Sequence, residues 1–233
     1  MKAEDIFSWT STILGFGLKA SPVVLFYKIA VGNQKIEIVP EMLIICNVLG
    51  AELWFSYWIK KGEKLAPLVS SSVSLVLGII FSIIYLFYFS EKKCFKFLFF
   101  VILEGVFVTL LFYGLAQTEV NFIGKVANVV NILTFISPGQ RIVRVCKEKN
   151  YNLIPIWTTV LGCISSFGWL CFGILINDIN CIIPNAISVM MAIFNTSIWV
   201  YFYCTTKGKE KNDKEEEEEM IETDKKDQDE NEV

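Results

Sequence analysis

The amino-acid sequence predicts an all-α integral membrane protein, in which seven transmembrane helices form two parallel three-helix repeats joined by one linker helix. Three observations carry this prediction: an apolar composition, seven long apolar runs, and prolines that recur at a nearly constant spacing. Of the 233 residues, 54% are hydrophobic, and the mean hydropathy is +0.50. A soluble domain of this length would not expose so much apolar surface, so the composition favours a membrane protein.

The apolar runs set the number of predicted helices, because a membrane-spanning helix needs ~20 predominantly apolar residues. They cover residues 6–29, 39–59, 66–89, 95–116, 122–145, 153–176 and 181–205. The first run follows Glu4 and Asp5, is too long for a cleavable signal peptide and lacks a small-residue cleavage site. We therefore expect it to remain in the protein as a helix.

Composition also excludes several kinds of site. The chain has no histidine, which excludes His-based acid–base chemistry and His-ligated metal. Its seven cysteines form no Cys-x-x-Cys pair and lie mostly inside apolar runs, as buried small side chains do. A glycine-rich phosphate loop is missing as well, so this chain alone is not expected to use ATP.

The net charge of −3 averages two unlike parts of the chain. From Lys207 to Val233, six lysines stand against thirteen carboxylates, whereas the preceding residues carry a net charge of +4. This last segment has no apolar face to bury, so we predict a disordered acidic tail over residues 207–233.

Loop lysines and arginines predict the orientation in the membrane. With the N-terminus outside, the inner segments hold twelve of these residues and the outer segments five. The sequence thus predicts an external N-terminus and a cytoplasmic C-terminus. Lys60, Lys61 and Lys64 are the main exception, because they fall in one predicted outer loop.

Four prolines near helix ends reveal the internal repeat. Pro22 and Pro138 each follow a serine and lie 116 positions apart, and Pro40 and Pro155 open the next apolar runs 115 positions apart. Proline removes a backbone donor and clashes with the preceding turn, so each is expected to kink its helix. Membrane helices tolerate such kinks where neighbours satisfy the freed carbonyls.

Aromatic motifs recur with the prolines. Trp54-x-x-Tyr57 returns as Trp169-x-x-Phe172 at an offset of 115. A single helix between the two halves keeps both repeats in the same orientation, with an axis along the membrane normal. The predicted units are 1–93 for the first repeat, 94–119 for the linker helix, 120–206 for the second repeat and 207–233 for the tail.

Together these motifs resemble the SWEET sugar transporters, within the wider group of PQ-loop-type membrane proteins. The resemblance covers residues 6 to about 205 and is specific through the combination and order of its motifs. These are Ser21-Pro22, Pro40, Trp54-x-x-Tyr57, Ser137-Pro138, Pro155, Trp169-x-x-Phe172-Gly173 and Pro184-Asn185.

The resemblance implies bidirectional, gradient-driven movement of a mono- or disaccharide across the lipid bilayer by alternating access. It implies a transporter and no enzyme, with no cofactor and no nucleic-acid partner. The four prolines match the family's hinge prolines. Trp169, Asn185 and Trp54 match its substrate pocket, and Asp178 with Tyr57 matches its extracellular gate.

Two positions depart from the family pattern. The first-repeat counterpart of Asn185 falls at about Ser71, where the family usually has a second asparagine, so Ser71 is a weaker candidate ligand. Trp58 stands where glycine commonly follows the tyrosine, and its indole would narrow the outer vestibule. Both departures bear on the identity of the substrate more than on the transport mechanism.

The chemistry of sugars supports these candidates, since apolar C–H faces stack on aromatic rings and amides both donate to and accept from hydroxyls. Each candidate also has a structural interpretation. Trp54 and Trp169 could anchor at a membrane interface, Asn185 could cap a kinked backbone, and Ser71 could serve close helix packing. Asn128 and Asn131 are further, weaker candidates.

Lys19 and Glu52 are ionisable residues within predicted spans. Placing a charged side chain inside the bilayer costs free energy. Their depths differ by about a turn, so the favoured expectation is a neutralising pair. A sharper alternative makes Glu52 a proton-coupling carboxylate.

Two other functions stay open. A proton-coupled amino-acid transporter of the PQ-loop type is one, although both repeats carry Ser-Pro where those proteins carry Pro-Gln. A seven-helix receptor or trafficking scaffold that acts through the acidic tail is the other, although a scaffold has no need for paired kinks. Since the chain holds both repeats, a monomer could suffice, and a homo-oligomer also stays open.

Overall fold

The computed structural model describes residues 2–32, 41–62, 64–88, 95, 98, 101–102, 105, 120–134 and 136–231. Within these ranges the backbone is helical or forms turns, and none of it is a strand. The predicted all-α class is therefore confirmed.

Eight α-helices are bounded within the described ranges. In the first half they are α1 (Ala3–Ala20), α2 (Pro22–Ala30), α3 (Glu41–Lys61) and α4 (Leu65–Tyr88). In the second half they are α5 (Val120–Thr134), α6 (Ile136–Glu148), α7 (Ile156–Leu175) and α8 (Ile179–Asn231), with a short 3₁₀ helix at Tyr151–Leu153.

The predicted first span corresponds to α1 with α2, and the predicted fifth span to α5 with α6. Most of the predicted linker, 94–119, lies outside the described residues, but its five described positions are helical.

The first-repeat break lies at Ser21, directly before Pro22. Because Pro22 has no N–H, the Leu18 carbonyl loses its usual partner four residues on. The Ser21 N–H donates to that carbonyl instead, at 3.1 Å. Helix α1 therefore ends at Ala20, and α2 starts afresh with proline at a position where its missing donor costs nothing.

In the second repeat the equivalent dipeptide, Ser137-Pro138, lies inside α6, which is described from Ile136 onward, and α5 is described up to Thr134. Residue 135, between them, lies outside the described residues. Pro138 has no N–H to bond the carbonyl four residues before it, that of Thr134. Of the other two prolines, Pro155 is the N-cap of α7, and Pro40 lies outside the described residues.

Helix packing follows a two-fold pattern. In the first half, α4 packs against both α1 and α3, and in the second half α8 packs against both α7 and α5. Between the halves, α1 packs on α7 and α3 packs on α5. Exchanging α1 with α5, α3 with α7 and α4 with α8 leaves this set of contacts unchanged, as expected for parallel repeats.

Small residues let α1 and α7 approach closely. Ser8, Ser11 and Gly15 are a buried row on α1, and Ser165 of α7 donates its hydroxyl to the Ser11 carbonyl at 3.1 Å. A Cβ added to Gly168 would overlap the Ser11 hydroxyl oxygen. Close backbone approach through such residues is typical of helix pairs in membranes, where packing and hydrogen bonds hold helices together.

Three described helices are each long and apolar enough to cross a membrane: Leu65–Tyr85, Ile156–Leu175 and Ile179–Thr206. Helix α5, Val120–Thr134, is a shorter apolar helix. The predicted first span is divided at Ser21, directly before Pro22, and such a break is tolerated where neighbouring helices surround it.

The acidic C-terminal segment differs from the prediction. Helix α8 continues to Asn231, so residues 207–231 are helical where the sequence analysis expected disorder. Lysine and glutamate are good helix formers, and their frequent spacing by four residues supports a helix without an apolar face.

Candidate substrate cavity and the Asp178 cluster

A cavity of about 530 Å³ lies between the two halves of the molecule. Its size is in the range of small-molecule sites. Helices α1, α3 and α4 supply one side, and α5, α7 and α8 supply the other. The described side chains that give it polar or aromatic character are Lys19, Ser21, Asn47, Trp54, Trp58, Ser70, Ser71, Ser74, Phe81, Asn131, Trp169 and Asn185.

Trp54 and Trp169 both line this cavity, one from each repeat. Trp54 meets the ring of Tyr57 edge-on at a centroid distance of 5.5 Å. Trp169 meets Phe172 in the same way, also at 5.5 Å. The matching aromatic pairs hold the two indoles in equivalent surroundings, so the repeat seen in the sequence is also present in the cavity wall.

Trp58 adds a third indole to the cavity lining. Its ring stacks on Trp54 at 6.3 Å with an interplanar angle of 23°, and it meets Tyr57 edge-on at 5.0 Å. The side chain is buried. It therefore occupies space that a glycine would leave empty.

Asn185 and Ser71 line the cavity from equivalent places on α8 and α4. Asn185 Nδ2 donates to the Cys181 carbonyl at 2.7 Å, and Ser71 Oγ donates to the Pro67 carbonyl at 2.9 Å. Each side chain thus bonds the carbonyl four residues earlier, and each keeps acceptor capacity for a ligand. The shorter Ser71 leaves more room on the first-repeat side.

The two further asparagine candidates behave differently. Asn131 lines the cavity, with its Oδ1 3.6 Å from the place that a Cβ on Gly50 would occupy. Asn128 is buried and does not belong to the described lining, and its Oδ1 has no hydrogen-bond partner. Of these two weaker candidates, the structure brings Asn131 alone to the cavity.

Asp178 lies at one end of the cavity because of the local sequence. Helix α7 closes with Asn177 in the left-handed region, at φ 53°, and the Asp178 N–H returns to the Gly173 carbonyl at 2.9 Å, as in a Schellman motif. Asp178 then caps α8, because its Oδ1 accepts the Asn180 N–H at 3.0 Å.

The second oxygen of Asp178 reaches across to the first repeat. Its Oδ2 accepts a hydrogen bond from the Tyr57 hydroxyl at 2.8 Å. The same oxygen forms an ion pair with Lys61 Nζ at 2.7 Å. We call Tyr57, Lys61 and Asp178 the Asp178 cluster. Tyr57 and Asp178 were predicted from the sequence for one role. Lys61 was not predicted, since its only signal was the excess of lysines in one predicted outer loop.

Lys64 belongs to the same group of lysines, and it also has an acid partner. Its Nζ lies 2.6 Å from a Glu4 carboxylate oxygen, which joins the start of α4 to the start of α1. Two of the three lysines counted as exceptions to the charge rule, Lys61 and Lys64, are therefore neutralised by nearby acids.

The contacts of Lys19 differ from the predicted ion pair with Glu52. Its Nζ donates to both the carbonyl and the hydroxyl of Ser70, each at 2.7 Å, and Lys19 lines the cavity. The predicted pairing with Glu52 is wrong, since no ion pair joins these two described residues. Glu52 Oε2 is buried without a hydrogen-bond partner.

Metal binding finds no support in the part of the chain that the structure describes, where no group of three His, Cys, Asp or Glu side chains could hold an ion. The described cavity lining offers aromatic faces, amides, hydroxyls and one ammonium group, which suits noncovalent binding of a polar ligand.

Comparison with known proteins agrees with this geometry. The sequence model of the family described as "Sugar efflux transporter for intercellular exchange" matches residues 5–93 and 121–207. The chain is 22% identical to the bidirectional sugar transporter SWEET10 of Arabidopsis thaliana, over 84% of this chain and 70% of that protein. It is 26% identical to SWEET7b of Oryza sativa subsp. indica, over 85% and 77%.

The fold has a solved counterpart in a eukaryotic SWEET transporter, with a TM-score of 0.77 and 18% identity, over 87% of this chain and all of that one (100%). The family match covers both repeats, and the fold match covers the seven-helix body. The chain therefore belongs to the SWEET family of sugar transporters, which are integral membrane proteins and not enzymes.

Proposed function

We propose that this protein is a bidirectional sugar uniporter that works by alternating access and is driven by the sugar gradient alone. The observation that carries the proposal is one cavity, lined by an indole from each repeat and bounded at one end by the Asp178 cluster. In this proposal the ring of a mono- or disaccharide stacks between Trp54 and Trp169. Asn185 and Ser71 bond its hydroxyls.

The Asp178 cluster is the proposed outer gate. Tyr57 and Lys61 come from the first repeat and Asp178 from the second, so their contacts hold the two halves together at this end. Opening the cavity toward this side requires these contacts to separate. The proposed N-out orientation puts this end on the external side, with the C-terminus in the cytoplasm.

The prolines are the proposed hinges. The break at Ser21 divides the first helix of the first repeat, and a broken backbone changes direction more easily than a continuous helix. Pro155 is the N-cap of α7. In the sequence repeat it corresponds to Pro40, which opens the second apolar run. We extend the hinge role to all four prolines, Pro22, Pro40, Pro138 and Pro155.

The division of the chain follows from the same repeat. The family match to 5–93 and 121–207 supports repeats at 1–93 and 120–206, a linker at 94–119 and a separate tail at 207–233. Because both repeats of one chain line the cavity, we propose that a monomer is sufficient for transport, with any homo-oligomer built from complete transporters.

The test is uptake of labelled glucose and sucrose into proteoliposomes at equal pH on both sides. We expect saturable uptake in the wild type and none in Trp169→Ala or Asn185→Ala. Two matched variants serve as controls: Trp157→Ala removes an exposed indole of α7, and Asn195→Ala removes an amide of α8 that bonds the Met191 carbonyl four residues back. Absence of sugar flux in folded, inserted wild-type protein would overturn the proposal.

A second candidate function rests on Glu52. A buried carboxylate oxygen without a partner is what a proton-coupled transporter of amino acids would use, since such groups are costly and often functional. This alternative predicts amino-acid uptake driven by an inward proton gradient and lost in Glu52→Gln. Sugar uptake at equal pH that persists in Glu52→Gln would exclude it.

A further inference from the structure

Lys19 places an ammonium group in the wall of the cavity. It lies near the end of α1, just before the break at Ser21, and its Nζ bonds two oxygens of Ser70 on α4. The same nitrogen lies 5.9 Å from the centre of the Phe16 ring. These partners are neutral, so they orient the ammonium group without cancelling its charge.

The described carboxylates do not compensate this charge. Glu4, Asp178 and Glu148 pair with other basic residues, and Asp5 lies 4.0 Å from Lys64. Glu52 forms no ion pair with Lys19, and the described cavity lining includes no aspartate or glutamate. A charge inside a membrane protein normally has an opposite charge or a functional use.

The remaining hydrogen-bonding capacity of Lys19 defines what it can bind. An ammonium group has three N–H donors and no acceptor. Two are used by Ser70, which leaves one for a ligand in the cavity. One charge and one donor suit a singly charged carboxylate, whereas doubly charged phosphate is usually held by several donors or by the fork of an arginine.

The rest of the cavity suits a sugar ring, through the indoles of Trp54 and Trp169 and the amide of Asn185. We propose that Lys19 is a specificity-determining residue that admits sugars bearing a carboxylate, namely hexuronates, to the sugar site. This inference rests on the proposed sugar transport and names a class of substrate for the same cavity. The carboxylate supplies the acid that the described cavity lining lacks.

The experiment compares D-glucuronate with D-glucose, which differ at C6 by a carboxylate in place of a hydroxymethyl group. Uptake of each labelled sugar is measured in proteoliposomes at neutral pH for the wild type, Lys19→Met and Lys125→Met. Lys125→Met is the control, because it removes an exposed lysine of α5 outside the described cavity lining.

We expect the wild type to take up both sugars. Lys19→Met should lower the ratio of glucuronate to glucose uptake by roughly tenfold to hundredfold, the usual effect of losing one hydrogen bond to a charged group. Lys125→Met should leave the ratio unchanged. An interior-negative potential should slow glucuronate entry but not glucose entry, because only glucuronate carries net charge.

The outcomes separate this inference from the proposed function. Wild-type uptake of glucose without uptake of glucuronate would overturn the role of Lys19 and leave sugar transport standing, whatever the folding of the variants. A ratio that changes by less than about threefold in folded Lys19→Met would do the same. Failure of both sugars to enter would overturn the proposed function itself.

Discussion

Lys61 and Asp178 join the two repeats through an ion pair of 2.7 Å, although they are 117 positions apart in the sequence. Only 3% of the Asp178 side chain and 20% of the Lys61 side chain are exposed. Away from bulk water, such a pair is costly to leave half-broken. Tyr57 donates to the same carboxylate oxygen at 2.8 Å, so opening this end of the cavity must disrupt two polar contacts together.

Asp178→Asn should weaken closure at this end. The substitution leaves Lys61 without its acid, and removal of one partner from a buried ion pair costs about 3–5 kcal/mol. Cys181 lines the cavity, and its N–H bonds the Asp178 carbonyl at 3.0 Å, so its thiol lies on this side. The lost carboxylate charge also makes the thiol more reactive, so the measured quantity is the rate with a membrane-impermeant thiol reagent divided by the rate with a small permeant one. We expect this ratio to be roughly tenfold higher or more in Asp178→Asn than in the wild type.

Lys64→Met is the matched control for this measurement. It breaks a neighbouring ion pair with Glu4, at 2.6 Å, that lies within the first repeat and does not join the two halves. The ratio of Cys181 modification rates, followed by mass spectrometry, should match the wild type in this variant. Equal ratios in Asp178→Asn and the wild type would show that Asp178 does not hold this end closed.

Sequence patterns predicted the helices that the structure describes and the break before Pro22, because those features depend on residues near one another in the chain. The Ser21 break before Pro22 is such a case. Partners across the bundle depend on the direction in which each side chain leaves its helix. Lys19 and Glu52 were matched by depth alone, but α1 packs on α4 and α7, so Lys19 meets Ser70 instead.

Lys61 shows the same limit of prediction from sequence, since its partner across the bundle could not be predicted. Its charge was visible in the sequence, but its partner lies in the turn between α7 and α8. The packing of α5 on both α3 and α8 brings the two together. The cavity tryptophans were easier to predict, because Trp54 and Trp169 are related by the repeat itself. Internal symmetry thus predicted residues that the repeat relates to each other, such as Trp54 and Trp169. Contacts between residues that the repeat does not relate, such as Lys61 and Asp178, were seen only in the structure.

Gly168→Ala should destabilise the interface between α1 and α7. The new Cβ would overlap Ser11 Oγ and come within 3.6 Å of the Phe7 carbonyl oxygen. Overpacking of this kind costs about 1–3 kcal/mol. We expect a lower midpoint of thermal unfolding in detergent micelles, and recovery toward the wild type when Ser11→Ala removes the overlapping oxygen.

Gly162→Ala provides the comparison on the same helix. A Cβ there meets Leu18 Cδ1 at 3.9 Å, an ordinary van der Waals contact, so its midpoint should stay close to the wild-type value or rise. If Gly168→Ala and Gly162→Ala unfolded at the same temperature, close approach at Ser11 would not limit the stability of this interface.

Pro22→Ala should slow transport more than Pro22→Gly. Both variants lose the ring and regain an N–H for the Leu18 carbonyl, which Ser21 now bonds at 3.1 Å. Alanine favours one continuous helix across the break, whereas glycine disfavours it by about 1 kcal/mol. We expect glucose exchange at saturating concentration to be roughly fivefold slower in Pro22→Ala than in Pro22→Gly.

The pair of variants controls for the loss of the proline ring from the cavity wall, because both lack it. Circular dichroism in micelles should show at least as much helix in Pro22→Ala as in Pro22→Gly. Equal exchange rates, or faster exchange in Pro22→Ala, would argue against a hinge at this break.

Trp58→Ala should widen the range of sugars that the protein accepts. The indole lines the cavity between Trp54 and the Asp178 cluster, and Lys61 Nζ lies 5.5 Å from the centre of its ring. Its removal costs stability, about 3–5 kcal/mol for a buried tryptophan, but it frees space beside the stacking site. We expect the ratio of sucrose to glucose uptake in proteoliposomes to rise roughly tenfold.

Trp157→Ala is the control for the loss of a tryptophan, since Trp157 on α7 is 85% exposed and lies outside the described cavity lining. Its sucrose-to-glucose ratio should equal that of the wild type. The uptake ratio separates cavity width from general damage, because a loosened fold lowers uptake of both sugars. An unchanged ratio in active Trp58→Ala would mean that Trp58 supports the neighbouring rings without limiting the size of the substrate.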